Sequence, residues 1–273
     1  MAKTFNSYKY LPSQTADHLR NLRLGVSKRM DSGLQGQHRS STFGSSVEFA
    51  EYREYMQGDP IERIDWNVYA RTDKYVIRRF HDEVNIRANI LLDVSESMSF
   101  KDMGAMSKMD YGSHLAAALM YVMINQGDST SLATFDDDLR EIYEPAATLG
   151  GLRPMLEGLE EIVPKGESNI QKALAKATEF FKGRSMMVII SDLLQDPQQT
   201  LKGIGSLSYA GHDVTVFHVL DPAEIRLPQE GLIEVEFLES GRKMNIDLTD
   251  FRDLYLQRIR EYLDEIRICC VNR

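Results

Sequence analysis

An aspartate and two serines at alternate positions, Asp93-Val94-Ser95-Glu96-Ser97, supply one carboxylate and two hydroxyls within five residues. Oxygen donors so spaced can converge on one small hard cation such as Mg²⁺ or Mn²⁺, which takes octahedral oxygen ligation and keeps part of its water. The stretch ahead of them, Ile86-Arg87-Ala88-Asn89-Ile90-Leu91-Leu92, ends in an apolar run without polar alternation. That is the pattern of a strand covered on both faces at the centre of a parallel sheet. Asp93 then falls at the strand's C-terminal end, with Ser95 and Ser97 in the loop beyond. The same spacing also suits an Asp and Ser loop that caps a following helix, so the rest of the chain has to decide between the two.

The residues Asp93-Val94-Ser95-Glu96-Ser97 resemble the metal-ion-dependent adhesion site of the von Willebrand factor type A domain, a doubly wound α/β module. Two later loops extend that resemblance. Gly166-Glu167-Ser168-Asn169-Ile170, with a helix behind it, is similar to the type A domain's second metal loop, Ser168 standing where the pattern has threonine; Ser168 is equally placed to be an N-cap. Asp192, which follows the apolar strand Met186-Met187-Val188-Ile189-Ile190 and Ser191, matches the third metal loop. The resemblance thus implies a Mg²⁺ or Mn²⁺ site made of Asp93, Ser95, Ser97, Ser168 and Asp192.

The elements that must position those residues alternate between strand and helix. Leu115, Ala116, Leu119, Met120, Met123 and Ile124 are helically spaced within 109–126, and the strand 129–135 follows. Asp136-Asp137-Asp138 reads as a solvated turn leading into a short strand over 140–144. A helix is expected over 154–162 with Pro154 at its start, and another whose face carries Ile170, Ala173, Leu174, Ala177, Phe180 and Phe181, ended by Gly183. A crossover helix over 197–210 leads to a buried strand at 214–220, in which His218 is a satisfied core or sheet-edge histidine. Residues 232–247 form a hairpin turning at Ser240-Gly241, and 251–266 an amphipathic helix with Phe251, Leu254, Tyr255, Ile259, Tyr262, Leu263 and Ile266 inward. This order gives an α/β fold with a doubly wound, mostly parallel, Rossmann-like sheet and right-handed crossovers. Ligands bind such sheets beyond the strand C-termini where strand order reverses, so Asp93 and Asp192 share a crevice if their strands adjoin there.

The first 84 residues read as an N-terminal extension packing on a main domain of 85–273, which carries the hairpin as an insertion. A short helix is expected over 17–24, ended by Gly25, and 31–46 is a Gly- and Ser-rich loop. Gly36-Gln37-His38-Arg39-Ser40, Gly44 and Glu48-Phe49-Ala50-Glu51-Tyr52-Arg53-Glu54-Tyr55 are similar to the opening of a bacterial family known as domain of unknown function 58. Gly58-Asp59-Pro60-Ile61-Glu62-Arg63-Ile64-Asp65-Trp66, followed by Ala70-Arg71, resembles that family's most distinctive motif, and Asp221-Pro222-Ala223-Glu224 is similar to it again. Arg53, Arg63, Arg71, Glu54, Asp59 and Asp65 suffice for a bidentate charge network. That network either pins an irregular segment against the sheet around a buried Trp66 or forms a partner-docking surface. Residues 74–82 read as a strand. His81-Asp82-Glu83 point in different directions and suit a surface histidine better than a metal.

Composition excludes several functions. Of 273 residues, 42% are hydrophobic and 27% charged, as in soluble globular proteins. No apolar run approaches the roughly 18 to 20 residues that span a bilayer, and residues 1–6 open no signal-peptide core, so a cytoplasmic protein without membrane insertion is expected. Cys269 and Cys270 are adjacent, which rules out a disulfide framework or a zinc site. The net charge of −9 argues against nucleic acid as a partner. Residues 1–42 hold seven Lys and Arg against two Asp, and that basic arm suits the chain's own acidic body or an acidic partner.

There is no P-loop, no H-E-x-x-H and no G-x-S-x-G. A metal-assisted hydrolase using the cation as a Lewis acid would lack a named base, so a non-enzymatic binding module is expected. The family resemblance implies a partner: its relatives are encoded beside MoxR-type AAA+ ATPases, for which a type A-like domain is thought to act as adaptor. An acidic side chain of the partner, or of its client proteins, would complete the metal's coordination.

Overall fold

The computed structural model describes residues 8–24, 48–59, 61–81, 86–228, 231–236 and 243–271. In chain order its elements are α1 (Ser13–Leu19), β1 (Glu48–Glu54), α2 (Trp66–Thr72), β2 (Val76–His81), β3 (Arg87–Asp93), α3 (Lys108–Asn125), β4 (Ser129–Phe135), β5 (Leu139–Ala146), α4 (Leu149–Glu161), α5 (Ile170–Phe180), β6 (Met186–Ser191), α6 (Pro197–Tyr209), β7 (Asp213–His218), α7 (Pro222–Arg226), β8 (Leu232–Glu236), β9 (Lys243–Asp247) and α8 (Leu248–Val271). They fall in two compact units, one of residues up to Gly25 together with Ile86–Arg273, the other Val26–Asn85.

The larger unit is the expected α/β fold. Its five-stranded sheet has the order β5-β4-β3-β6-β7. β3 runs parallel to β4 and to β6, β6 parallel to β7, and only the edge strand β5 is antiparallel. Both faces of β3 are covered, which accounts for its unbroken apolar run. Ile90 and Leu92 pack with Met120, Leu132, Leu152 and Met155 under α3 and α4. Leu91 packs with Ala133, Ile170, Leu174, Ile189 and Ile204 under α5 and α6. Asn89 is a polar residue buried within β3. Asn89 accepts from Ser131 Oγ at 2.8 Å and donates to Ser185 Oγ at 2.9 Å, and Ser185 Oγ lies 2.9 Å from His212 Nδ1. A fully satisfied buried network of this kind ties three strands to one register, because a one-residue slip would break every bond in it.

Several elements differ from expectation for identifiable reasons. α1 begins four residues earlier than the predicted helix, and the buried anchor precedes it: Tyr8, Tyr10 and Leu11 join the core on the α3 face, with His114 Nδ1 3.1 Å from Tyr10 O. α4 begins at Leu149, capped by the Thr148 hydroxyl, and holds Pro154 in its interior rather than at its start. α4 lies so close to β5 that a Cβ on Gly158 would overlap the Tyr143 hydroxyl. α8 is longer than predicted, and its apolar face is only partly used. Ile266 is buried, whereas Phe251 and Leu254 are 55% and 51% exposed. The β8–β9 hairpin is present as an antiparallel pair; its expected turn at Ser240-Gly241 lies outside the described residues.

In the smaller unit β1 and β2 pair antiparallel. The Gly- and Ser-rich loop, the family-like residues 36–44 and most of His81-Asp82-Glu83 lie outside the described residues. Arg53 grips both oxygens of Asp59 at 2.7 and 2.8 Å, as the charge pattern suggests. The segment after Asp59 is ordered as a 3-10 turn, Ile61–Arg63, and α2, which Asp65 caps by accepting from Asn67 N and Val68 N. Trp66 opens that helix and is 54% exposed, against the expectation that it is buried. Standing at the first helical position, it lies edge-on to Tyr69, which stacks on Tyr75.

Candidate metal centre

The β3 and β6 strands are neighbours, and strand order reverses between them: β4 and β5 lie on one side, β7 on the other. That seam is the topological switch point at which open α/β sheets bind ligands. Asp93 closes β3 there and is fully buried. Its Oδ1 accepts Ser95 N–H at 3.0 Å, which folds the loop back over the strand end. Ser95 Oγ and Ser97 Oγ lie 3.1 Å apart, and a 3-10 turn, Glu96–Ser99, carries the chain away. The Ser168 loop is stitched to this one by two backbone bonds, Lys165 N to Val94 O and Glu96 N to Gly166 O, both 3.0 Å. Gly166 takes φ +78°, a left-handed conformation that most side chains resist. Ser168 Oγ thereby comes to 3.4 Å from Asp93 Oδ2.

The capping alternatives do not describe this geometry. Asn169 caps α5, through its side chain on Lys172 N, so Ser168 is not the cap. Ser95 makes no side-chain cap bond, and α3 is capped by Ser107. The hydroxyls of Ser95, Ser97 and Ser168 instead gather around the end of β3.

Asp192 follows β6 and is buried, its Oδ1 accepting Leu194 N–H at 3.3 Å. Its neighbour Leu193 holds φ +51°, an unfavourable conformation for a leucine and the kind of local strain that collects at functional sites. Tyr262 donates its hydroxyl to Leu193 O, and His218 Nε2 lies 2.8 Å from Asp192 O. Since a carbonyl only accepts, that nitrogen carries the proton; burial holds the His218 pKa below its usual value, so the ring is a neutral donor. His218 is thus the satisfied sheet histidine expected.

Burial, and then the charge of Asp192, push the Asp93 carboxyl up to about 6, against the pull of the Ser191 and Ser95 hydrogen bonds. A buried carboxylate that feels the charge of a second one is unfavourable in the metal-free protein and is relieved by a cation. Among the described residues no three His, Cys, Asp or Glu side chains gather into a metal cluster; the candidate donors at this end of the sheet are two carboxylates and three hydroxyls. That all-oxygen set fits Mg²⁺ or Mn²⁺ and does not suit softer metals.

Two residues at the site have no functional role in the sequence reading. Ser191, at the end of β6, donates to Asp93 Oδ2 at 2.6 Å and accepts Leu193 N–H at 2.9 Å. Lys108, the first residue of α3, is buried and pairs with Asp192 Oδ2 and Glu224 Oε1, both at 2.7 Å. A serine ending an otherwise apolar strand is a signal for the first. A lone lysine at a helix start reads as surface and gives none for the second.

An uncharacterized protein of Mycobacterium tuberculosis is 29% identical over 236 residues, 84% of this chain and 73% of that protein. Among solved structures, the conserved hypothetical protein BatB of Bacteroides thetaiotaomicron is similar at 20% identity and a TM-score of 0.45, over 64% of this chain and 86% of that one. A von Willebrand factor type A protein of Catenulispora acidiphila is similar at 14% identity and a TM-score of 0.34, over 66% and 43%. The model of the family described as protein of unknown function DUF58 matches residues 51–263, a span running from β1 into α8, and the chain belongs to that family.

Proposed function

We propose that this protein is a non-enzymatic, cytoplasmic, metal-dependent protein-interaction module, an adaptor or partner of a MoxR-type AAA+ ATPase. One observation carries the metal part: Asp93, Ser95, Ser97 and Ser168 collect their oxygens at the sheet's switch point, with neither Ser95 nor Ser168 used as a cap. In this reading Asp93, Ser95, Ser97, Ser168 and Asp192 hold Mg²⁺ or Mn²⁺, directly or through water. The bound ion would supply an open coordination position for a carboxylate of the partner. The chain's own residues bind and orient: Ser191 fixes the Asp93 carboxylate, and the bonds between the Val94 and Lys165 segments hold the two hydroxyl loops together. The ATPase as partner rests on the family resemblance.

An ion that binds the native state alone must stabilise it. Titration with Mg²⁺ and Mn²⁺, followed by calorimetry and thermal melting, should therefore show one site and a raised Tm in the wild type, and neither in Asp93→Ala. Absence of heat and of any shift in the wild type contradicts the metal reading.

A further inference from the structure

Lys108 is the one cation bonded into the crevice among the described residues. Its side chain is 3% exposed, and its ammonium also stands 5.6 Å from the centre of the Phe100 ring. Buried lysines persist only when paired. Lys108 pairs with Asp192, just beyond β6, and with Glu224, at the start of α7. Glu224 Oε2 accepts Asp221 N–H at 2.7 Å, closing the capping box of α7. The Asp221 carboxylate in turn receives the backbone amides of Asp102, Met103 and Gly104, in the loop that leads to Lys108. The ammonium is thus held by Asp192 and by Glu224 of α7, and the loop that leads to it is tied to α7 through Asp221.

The Lys108 and Glu224 charges cancel, as would those of a divalent ion and the pair Asp93 and Asp192, so the ammonium leaves the formal charge of the loaded site at zero and acts on the share of Asp192 left for the ion. Resting on the metal reading above, we propose that Lys108 tunes the metal site: by holding Asp192 Oδ2 its ammonium competes with the divalent ion for that carboxylate and holds metal affinity down.

The test uses Mn²⁺ on the full chain, with binding read by calorimetry. Lys108→Met should bind Mn²⁺ about tenfold more tightly or better, because the unit positive charge that holds Asp192 is removed. Lys108→Arg should behave as wild type. Lys108→Met/Glu224→Gln removes one charge of each sign and carries the test if the single variant does not fold. A lysine that merely supports the fold predicts weaker metal binding in these variants, never tighter. If the wild type binds Mn²⁺ and neither methionine variant binds it more tightly, the role of Lys108 is overturned and the metal site stands. If neither the wild type nor any variant binds Mn²⁺, the metal reading itself falls, and the role of Lys108 with it.

Discussion

Ser191 and Asp93 meet across the seam between β6 and β3, the serine hydroxyl donating to Asp93 Oδ2 at 2.6 Å while accepting the Leu193 amide. The bond spans the two strands between which the sheet order reverses, and it sets which way the central carboxylate faces. Ser191→Ala leaves a buried carboxylate oxygen and a buried amide each short of a partner, at a cost of about 1 to 3 kcal/mol. Urea unfolding should show that loss, and Mn²⁺ titration a weaker site. Unchanged values in both would mean that Asp93 is oriented by other groups.

The metal-free protein should lose stability as pH rises through the Asp93 pKa. Because the folded-state value is raised from 3.8 to about 6, the native state binds this proton more tightly than the unfolded chain does. Its contribution is complete below 3.8 and disappears as pH climbs to about 6 and beyond. His212 and His218 act with the opposite sign, since burial lowers both and stability falls as pH drops toward their charged forms. Comparing Tm against pH in chelator for wild type and Asp93→Asn isolates the carboxylate. The difference between the two curves should vary over this window, and a constant difference would contradict the account.

Toward the opposite end of β3, Asn89 is part of the fold and not of the proposed metal site. Asn89→Ala should cost about 2 to 4 kcal/mol, since it strips partners from the buried hydroxyls of Ser131 and Ser185 and opens a cavity. Metal affinity, measured below the transition, should stay within about twofold of wild type. A large loss of affinity in a folded variant would show that the two ends of the strand are coupled.

Trp66→Ala should be nearly neutral, within about 1 kcal/mol, because the indole is half-exposed and its ring contact is with Tyr69 alone among the described aromatic pairs. Chemical denaturation decides this; a loss of 3 kcal/mol or more would restore the buried tryptophan that the surrounding charge pattern suggests.

The readable and unreadable parts of the chain differ in physical kind. The unbroken apolar runs of β3 and β6 announce strands buried on both faces, and the helical spacing of α3 and α5 announces what covers them. Together they were enough to put Asp93 and Asp192 at the C-terminal ends of parallel strands. Ser95 and Ser168 could not be told from caps by spacing, since the choice turns on whether Ser107 and Asn169 take that role, which only the backbone geometry decides. Lys108 was invisible because pairing with Asp192 and Glu224, 84 and 116 residues away, is a product of the fold. Trp66 and the outer half of the α8 face show the reverse: apolar type suggested burial, and the packing left both open.

The most direct test of the interaction itself is the binding of a purified MoxR-type ATPase to the immobilised chain in Mg²⁺, in chelator, and with Asp93→Ala in Mg²⁺. The account predicts retention by the wild type in Mg²⁺ and loss in the other two, with Asp93→Ala still folded by circular dichroism. Equal retention in all three would contradict a metal-dependent docking site, as would the absence of retention in any of them.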